Sequence, residues 1–182
     1  MQILFNVIAF KIGWLACVLG GAHGLPLLGT AIAVAIVAAH VFNASRPSRE
    51  LVLILIAGAI GAAWDSALAA TGLLSYASGT LFAGTAPYWI VAMWLLFATL
   101  LNKSLRWLHG RLVFAGFVGA VCGPLAFYAG HRLGAVEFGD FGLAMIALAV
   151  GWGLIMPLLV ILAQRFDGIN TRVVDRAATV QI

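Results

Sequence analysis

Charged residues are scarce in this chain. Of its 182 residues, 9% are charged and 64% are hydrophobic, and the mean hydropathy is +1.10. An ordinary globular domain carries roughly 25% charged residues, so the composition excludes a soluble domain with an ordinary surface. A membrane-spanning helix needs about 20 apolar residues. Roughly six such helices would use most of this chain.

The sequence also lacks the usual signatures of metal, nucleotide and serine-hydrolase sites. Its two cysteines, Cys17 and Cys122, lie in apolar runs without Cys-x-x-Cys spacing, which excludes a zinc motif or a disulfide framework of the common kind. The histidines do not follow one another at His-x-x-x-His or His-x-x-His spacing, and neither a Walker loop nor a Gly-x-Ser-x-Gly elbow occurs. We therefore expect no metal and no cofactor.

Six apolar segments separated by short polar stretches make up most of the chain. They predict an all-α, polytopic membrane bundle of about six transmembrane helices over residues 1–163, followed by a polar cytoplasmic tail over residues 164–182. The predicted spans are Ile3 to Gly20, Leu25 to Phe42, Leu51 to Leu73, Pro87 to Leu101, Leu112 to Arg132 and Phe141 to Ala163.

The basic residues alternate between the connections. They follow the second, fourth and sixth spans, whereas the intervening connections hold only Arg132. By the positive-inside rule, the basic connections and both termini face the cytoplasm, and we expect a multi-pass membrane protein. Because the net charge of +4 comes from these connections, we do not expect nucleic-acid binding.

Asp65 and Lys11 are the two charged residues that fall inside predicted spans. A carboxylate at the centre of a span costs about 2.5 to 3.5 kcal/mol on insertion scales. At helical spacing Asp65 shares a face with Gly58 and Gly61, and small residues allow another helix to approach closely. Asp65 should thus point into the bundle, where it either forms a structural ion pair with Lys11 or serves as a catalytic group.

A second polar face is predicted near the other end of the fifth span. Tyr128, His131 and Arg132 follow one another at intervals of three and one along the helix. They either cap the helix at the level of the lipid head groups or turn inward. If they turn inward, they line one pocket with Asp65, in which Asp65, His131 and Tyr128 are candidate acid or base groups and Arg132 is a candidate anion contact.

Four further residues are candidate contacts for a bound molecule. Lys11 offers a positive charge inside the first span, and Asn6 in the same span can bond to another helix. Trp64 directly precedes Asp65. Trp89 is a candidate contact as well, although tryptophans near the ends of spans more often belong to an interfacial aromatic belt.

Several short strings together resemble a bacterial inner-membrane family known as domain of unknown function 2878. The resemblance rests on four strings: Asn6-x-x-x-Phe10-x-x-x-Trp14, Trp64-Asp65-Ser66, Pro87-Tyr-Trp89 with Trp94-x-x-Phe97-Ala-Thr-x-Leu, and Gly123-Pro-Leu-Ala-Phe-Tyr-Ala-Gly130. It covers the chain up to about Ala163 and implies a multi-pass protein of the bacterial inner membrane. The family implies no established activity, but its genes are often found near those for enzymes that modify membrane fatty acids. This association favours a role in lipid chemistry or in its support.

Three hypotheses of function follow. The first is that the bundle binds or modifies a lipid or fatty-acyl group in an intramembrane pocket with membrane lipids as partners. The second is a non-catalytic scaffold that binds a partner membrane enzyme or a second copy of the chain. The third is a small proton-coupled carrier in which Lys11 and Asp65 exchange protons.

Overall fold

The computed structural model describes residues 2–169, which form six α-helices, one short 3-10 helix and two short β-strands. The elements in chain order are α1 (Gln2–Ala22), α2 (Pro26–Phe42), α3 (Pro47–Ala70), β1 (Leu74–Tyr76), α4 (Tyr88–Leu101), the 3-10 helix (Arg106–Leu108), α5 (Leu112–Arg132), β2 (Val136–Phe138) and α6 (Phe141–Arg165). The predicted helical bundle is confirmed, with each helix close to its predicted segment.

Four of the helices are long and apolar enough to cross a membrane, namely α1, α3, α5 and α6. By length and composition the chain is therefore a membrane protein. Helices α2 and α4 are shorter, at 17 and 14 residues. At a rise of 1.5 Å per residue, α4 is only about 21 Å long, less than the hydrocarbon core of about 30 Å.

Helix α4 lies at the centre of the bundle. It packs against α1, α2 and α3 and also contacts α6. Most of its side chains are buried, including Trp89, Trp94 and Leu96. A helix that is apolar on all sides is expected to be enclosed by its neighbours, and this one is.

Small residues allow the helices to approach closely, as predicted for the face of α3 that carries Asp65. A Cβ atom added to Gly61 would lie 2.0 Å from the Trp94 ring, and one added to Gly58 would lie 2.4 Å from Leu95. Helices α5 and α6 also pack closely through a glycine, since a Cβ atom on Gly123 would lie 2.2 Å from Trp152. These contacts leave room only for a hydrogen atom in place of a side chain.

A two-stranded antiparallel ribbon joins the connection after α3 to the connection after α5. Strands β1 and β2 pair with Leu74 opposite Phe138, Ser75 opposite Glu137 and Tyr76 opposite Val136. The sequence pattern does not predict this ribbon. Strands of three residues are too short to give a recognisable alternation of polar and apolar residues.

The bundle has two chemically different ends. Helix α3 begins at the end opposite the ribbon, and α4 and α6 finish there. We call it the basic end, because the connections at this end carry most of the basic residues. Its basic residues are Arg46, Arg49, Lys103, Arg106, Arg111 and Arg165. Helix α6 continues two residues past its predicted end, to Arg165, and the next residues return to α3, since the Arg46 N–H donates to the Gly168 carbonyl at 2.8 Å. The remainder of the predicted tail, residues 170–182, lies outside the described residues.

Candidate functional site

A groove of about 460 Å³ runs between α1, α4 and α5, with α6 at its back. Its lining is almost entirely apolar. Helix α4 supplies a stripe of side chains at spacings of three and four residues, formed by Ile90, Met93, Phe97 and Leu100. Such spacing places the side chains on one face of the helix. A pocket of this size and composition is typical of a small-molecule or lipid site.

The groove exists because two helix pairs leave a gap. Helix α1 packs on α2 and α4, while α5 packs chiefly on α6. The small side chains that α5 turns towards α1, such as Ala126 and Ala129, do not fill the space between them. At the ribbon end, Val136 of β2 lines the groove.

Aromatic rings form the inner wall of the groove. Trp94 stacks on Trp152 with ring centroids 4.6 Å apart, and Phe97 meets the edge of Trp152 at 5.4 Å. Phe10 of α1 contacts Phe97 at 6.2 Å. Contacts of this kind add roughly 0.5 to 1.5 kcal/mol per pair beyond the burial of area. The wall is therefore held in place without a ligand.

Lys11 is the only charged residue among those that line the groove in the described part of the chain. It lies at the middle of α1, and its Nζ atom is 5.9 Å from the Phe10 ring centroid and 5.7 Å from that of Trp14. It forms no ion pair with any described residue. A lysine at this depth is costly in hydrocarbon unless it meets an anion or reaches water.

Asp65 does not pair with Lys11, so the predicted ion pair is wrong. The Asp65 side chain is fully buried and accepts hydrogen bonds from Trp94 Nε1 at 2.6 Å and from the Tyr76 hydroxyl at 3.1 Å. Asp65 lies near the end of α3, so the ribbon can cover it and bring Tyr76 to it. Neutral donors from β1 and α4 thus satisfy the carboxyl group, and the cation is not needed.

The Tyr76 hydroxyl group keeps its proton at neutral pH. Burial raises the pKa of Tyr76 well above its ordinary value, and the neighbouring Asp65 carboxyl group and the hydrogen bond to it raise this pKa further. The hydroxyl group therefore stays protonated and continues to donate. Through Trp94, which lines the groove, Asp65 fixes the orientation of one wall ring.

A buried polar cluster, which the sequence pattern does not predict, lies at the basic end. Glu50 is fully buried and receives hydrogen bonds from Asn102 Nδ2 at 3.0 Å and from the Gly168 N–H at 3.1 Å, and it pairs with His40 Nε2 at 2.9 Å. We call Glu50, His40, Asn102 and the Gly168 N–H the Glu50 cluster. It ties together α2, α3, α4 and the segment after α6.

The signal for this cluster was weak. His40 and Glu50 flank the short turn between α2 and α3, and antiparallel helices bring such positions together. Asn102 follows the end of α4 and Gly168 lies beyond α6, so their arrival at Glu50 depends on the packing of the whole bundle.

A model of the family described as "Protein of unknown function (DUF2878)" matches residues 3–158 of this chain, which is most of its length. The chain belongs to the DUF2878 family. The sequence resemblance to this family is thereby confirmed. Neither a curated protein nor a solved structure matches the chain.

In this DUF2878 protein, two of the predicted contact residues line the groove, namely Lys11 and Trp89. Trp89 is fully buried, and its Nε1 donates to the Ser78 carbonyl at 2.9 Å. It does not stand in a lipid-facing aromatic belt. Asn6 bonds to another helix as predicted, since its Nδ2 donates to the Thr99 carbonyl at 3.3 Å.

The remaining predicted residues of the DUF2878 chain lie elsewhere. None of Asp65, Tyr128, His131 and Arg132 lines the groove. The last three are exposed at the ribbon end, where His131 Nδ1 contacts the Val136 carbonyl at 3.0 Å and Arg132 approaches the Tyr128 hydroxyl at 3.5 Å. Asp65 is enclosed on the other side of Trp94, so the four do not form the shared pocket that the spacing suggested.

Trp64 faces α6 rather than the groove. A Cβ atom on Gly151 would lie 2.1 Å from its ring. This packing joins α3 to the pair formed by α5 and α6. The role of Trp64 in the structure is therefore to hold these helices together.

Proposed function

We propose that this protein binds the acyl chain of a fatty acid or a singly acylated lipid in the groove between α1, α4 and α5, and that Lys11 contacts the anionic group of the ligand. The observation that carries the proposal is the combination of an apolar groove of about 460 Å³ with a single cation on its lining. An acyl chain matches the apolar wall. A carboxylate matches the lysine.

The aromatic wall supports binding of a flexible chain. Rings held by mutual contacts, such as Trp94 against Trp152, present a preformed apolar surface that loses little conformational freedom when a ligand binds. The acyl chain enters from the side, between α1 and α5, since both helices line the groove. This is the side that faces the lipid in a bilayer.

The proposal includes the orientation of the bundle. We place the basic end and both termini in the cytoplasm of a bacterium, with six helices in the inner membrane and α4 sheltered at the centre. The clustering of basic residues at one end supports this orientation. These residues are Arg46, Arg49, Lys103, Arg106, Arg111 and Arg165.

Quenching of tryptophan fluorescence by a fatty acid brominated on its chain tests the proposal. Trp14, Trp89, Trp94 and Trp152 all line the groove, so a bound brominated chain should quench them in a saturable way in purified protein. Ala126→Phe fills the groove from α5 and should abolish saturable quenching. Val121→Phe, on the same helix but away from the groove, is the matched control and should leave quenching unchanged.

The role of Lys11 is tested separately with two ligands of the same chain length. Lys11→Gln should weaken binding of the fatty acid by about tenfold or more, because a hydrogen bond to a charged group contributes roughly 1.5 to 3 kcal/mol. Binding of the corresponding fatty alcohol should change little. Equal quenching in wild type and Ala126→Phe would overturn the groove as the site, whereas equal losses for acid and alcohol would overturn only the part assigned to Lys11.

A further inference from the structure

A second concave site lies at the basic end, on the side of the bundle where α3 begins and α6 finishes. It has a volume of about 330 Å³ and is lined by Ser48, Arg49, Val52, Arg165 and Phe166. Two arginines and one serine thus border one small depression. This site is separate from the groove, with which it has no residue in common.

Neither arginine has a carboxylate partner among residues 2–169. The ion pairs formed within that range are His40 with Glu50 and Arg106 with Asp167. The Glu50 carboxyl group, next to Arg49 in sequence, is buried and turned towards Asn102 and His40. Two neighbouring cations repel each other, and an anion between them removes this repulsion.

The apolar surface below the depression fits acyl chains. Along α3 the exposed residues Val52 and Leu55 continue from Arg49 towards the middle of the bundle, and along α6 Ile161 and Leu158 continue from Arg165 in the same direction. Val52 lies three residues from Arg49, and Ile161 and Leu158 lie four and seven residues from Arg165, so these three side chains lie on the faces that carry the arginines. Helices α3 and α6 contact each other, and Val52 of one track and Arg165 at the head of the other line the same depression, so both apolar tracks begin there.

We infer that this depression binds the phosphate of an anionic phospholipid, with Arg49 and Arg165 on the phosphate oxygens, Ser48 as a hydroxyl donor, and the acyl chains along the tracks on α3 and α6. Arginine binds phosphate through paired N–H groups in a fixed geometry. The position of the two arginines along the bundle agrees with this assignment. Both arginines lie at helix ends, where the apolar part of the bundle gives way to the basic end.

Native mass spectrometry of the purified full-length chain tests the inference. Phosphatidylglycerol or phosphatidylcholine is added, and the fraction of lipid-bound protein is measured. The wild type should retain phosphatidylglycerol in preference to phosphatidylcholine. The double variant Arg49→Gln/Arg165→Gln should lose about 30-fold in affinity for phosphatidylglycerol, on the basis of about fivefold for each basic residue next to an anionic lipid surface.

The matched control is the double variant Lys103→Gln/Arg111→Gln, which removes two charges from the same end without touching the depression. It should keep the affinity of the wild type. Equal losses in both double variants would overturn the inference in favour of a general charge effect. A further competition with inorganic phosphate should leave the lipid bound, and displacement of the lipid by millimolar phosphate would mean that the site takes a free anion rather than a lipid.

Discussion

The two faces of α4 meet their surroundings in opposite ways. Towards α3, the Trp94 and Leu95 side chains fill the space left by Gly61 and Gly58, with no room for an added methyl group. Towards α5, the stripe from Ile90 to Leu100 borders an open groove. One short helix thus serves as the core of the bundle on one side and as the wall of a candidate ligand site on the other. Stability should depend chiefly on the first face, and binding on the second.

The largest difference is expected between a side chain deleted in the buried core and one deleted on the groove lining. Leu53 of α3 is fully buried, so Leu53→Ala should lower the free energy of unfolding by about 2 to 5 kcal/mol through lost contacts and a new cavity. Met93→Ala only widens a groove that lipid or detergent can fill, and it should cost about 1 kcal/mol. Unfolding in mild detergent, followed by circular dichroism, measures both. Equal costs would contradict the contrast between the two faces.

Identical glycine substitutions provide the next comparison. Gly61→Ala places a methyl group 2.0 Å from the Trp94 ring, whereas Gly153→Ala meets its nearest atom at 3.5 Å, an ordinary contact. We expect Gly61→Ala to cost about 1 to 3 kcal/mol by overpacking. Gly153→Ala should be neutral or slightly stabilising, because alanine favours helix by about 1 kcal/mol over glycine. The midpoint temperature of thermal unfolding is measured for both variants. A shift of the same sign and size in the two would refute the expectation.

A smaller effect is expected where the closed face bonds to the ribbon. Tyr76→Phe removes the hydroxyl that donates to Asp65 and should cost about 1 kcal/mol. Asp65→Leu should cost more than Tyr76→Phe, because it leaves the buried Trp94 N–H without an acceptor. The two variants and their double mutant form a cycle. If the double mutant shows the sum of the single effects, the two side chains do not interact as described.

The smallest perturbation is chemical labelling of the two cysteines. Cys122 lies exposed on the groove lining, while Cys17 is buried and its thiol donates to the Gly29 carbonyl. A membrane-permeant maleimide should label the Cys17→Ala variant at least about tenfold faster than the Cys122→Ala variant, since the reaction requires access to the sulfur. The brominated fatty acid should slow labelling of Cys122. Labelling unaffected by the fatty acid would count against occupation of the groove at Cys122.

The sequence predicted the helices well and the polar contacts poorly. Helix positions follow from apolar length and from the polar connections between them, both of which are local. The close packing of the Gly61 face was also predictable, because small residues at helical spacing mark a contact wherever the partner lies. The partner of Asp65 was not predictable. Lys11 is the obvious choice from charge alone, yet the donors are neutral groups of Tyr76 and Trp94.

Only part of the candidate site could be predicted from the sequence, for a similar reason. Lys11 stands out as a charge within an apolar run, and it does line the groove. The groove itself is a gap between α1 and α5, which pack chiefly on other helices, and no residue type encodes such a gap. The Glu50 cluster likewise combines residues from four parts of the chain. Only the tertiary arrangement reveals that Glu50 is buried and not part of a solvated connection.

The short length of α4 has a consequence for how the protein fits its membrane. A helix that touches lipid must match the thickness of the hydrocarbon layer or tilt and deform it. Helix α4, at 14 residues, packs against α1, α2 and α3 and has most of its side chains buried, so its length does not have to match the hydrocarbon layer. The four long helices then determine which bilayer thickness suits the protein, and a change of lipid thickness should act on α1, α3, α5 and α6 while the central helix keeps its place.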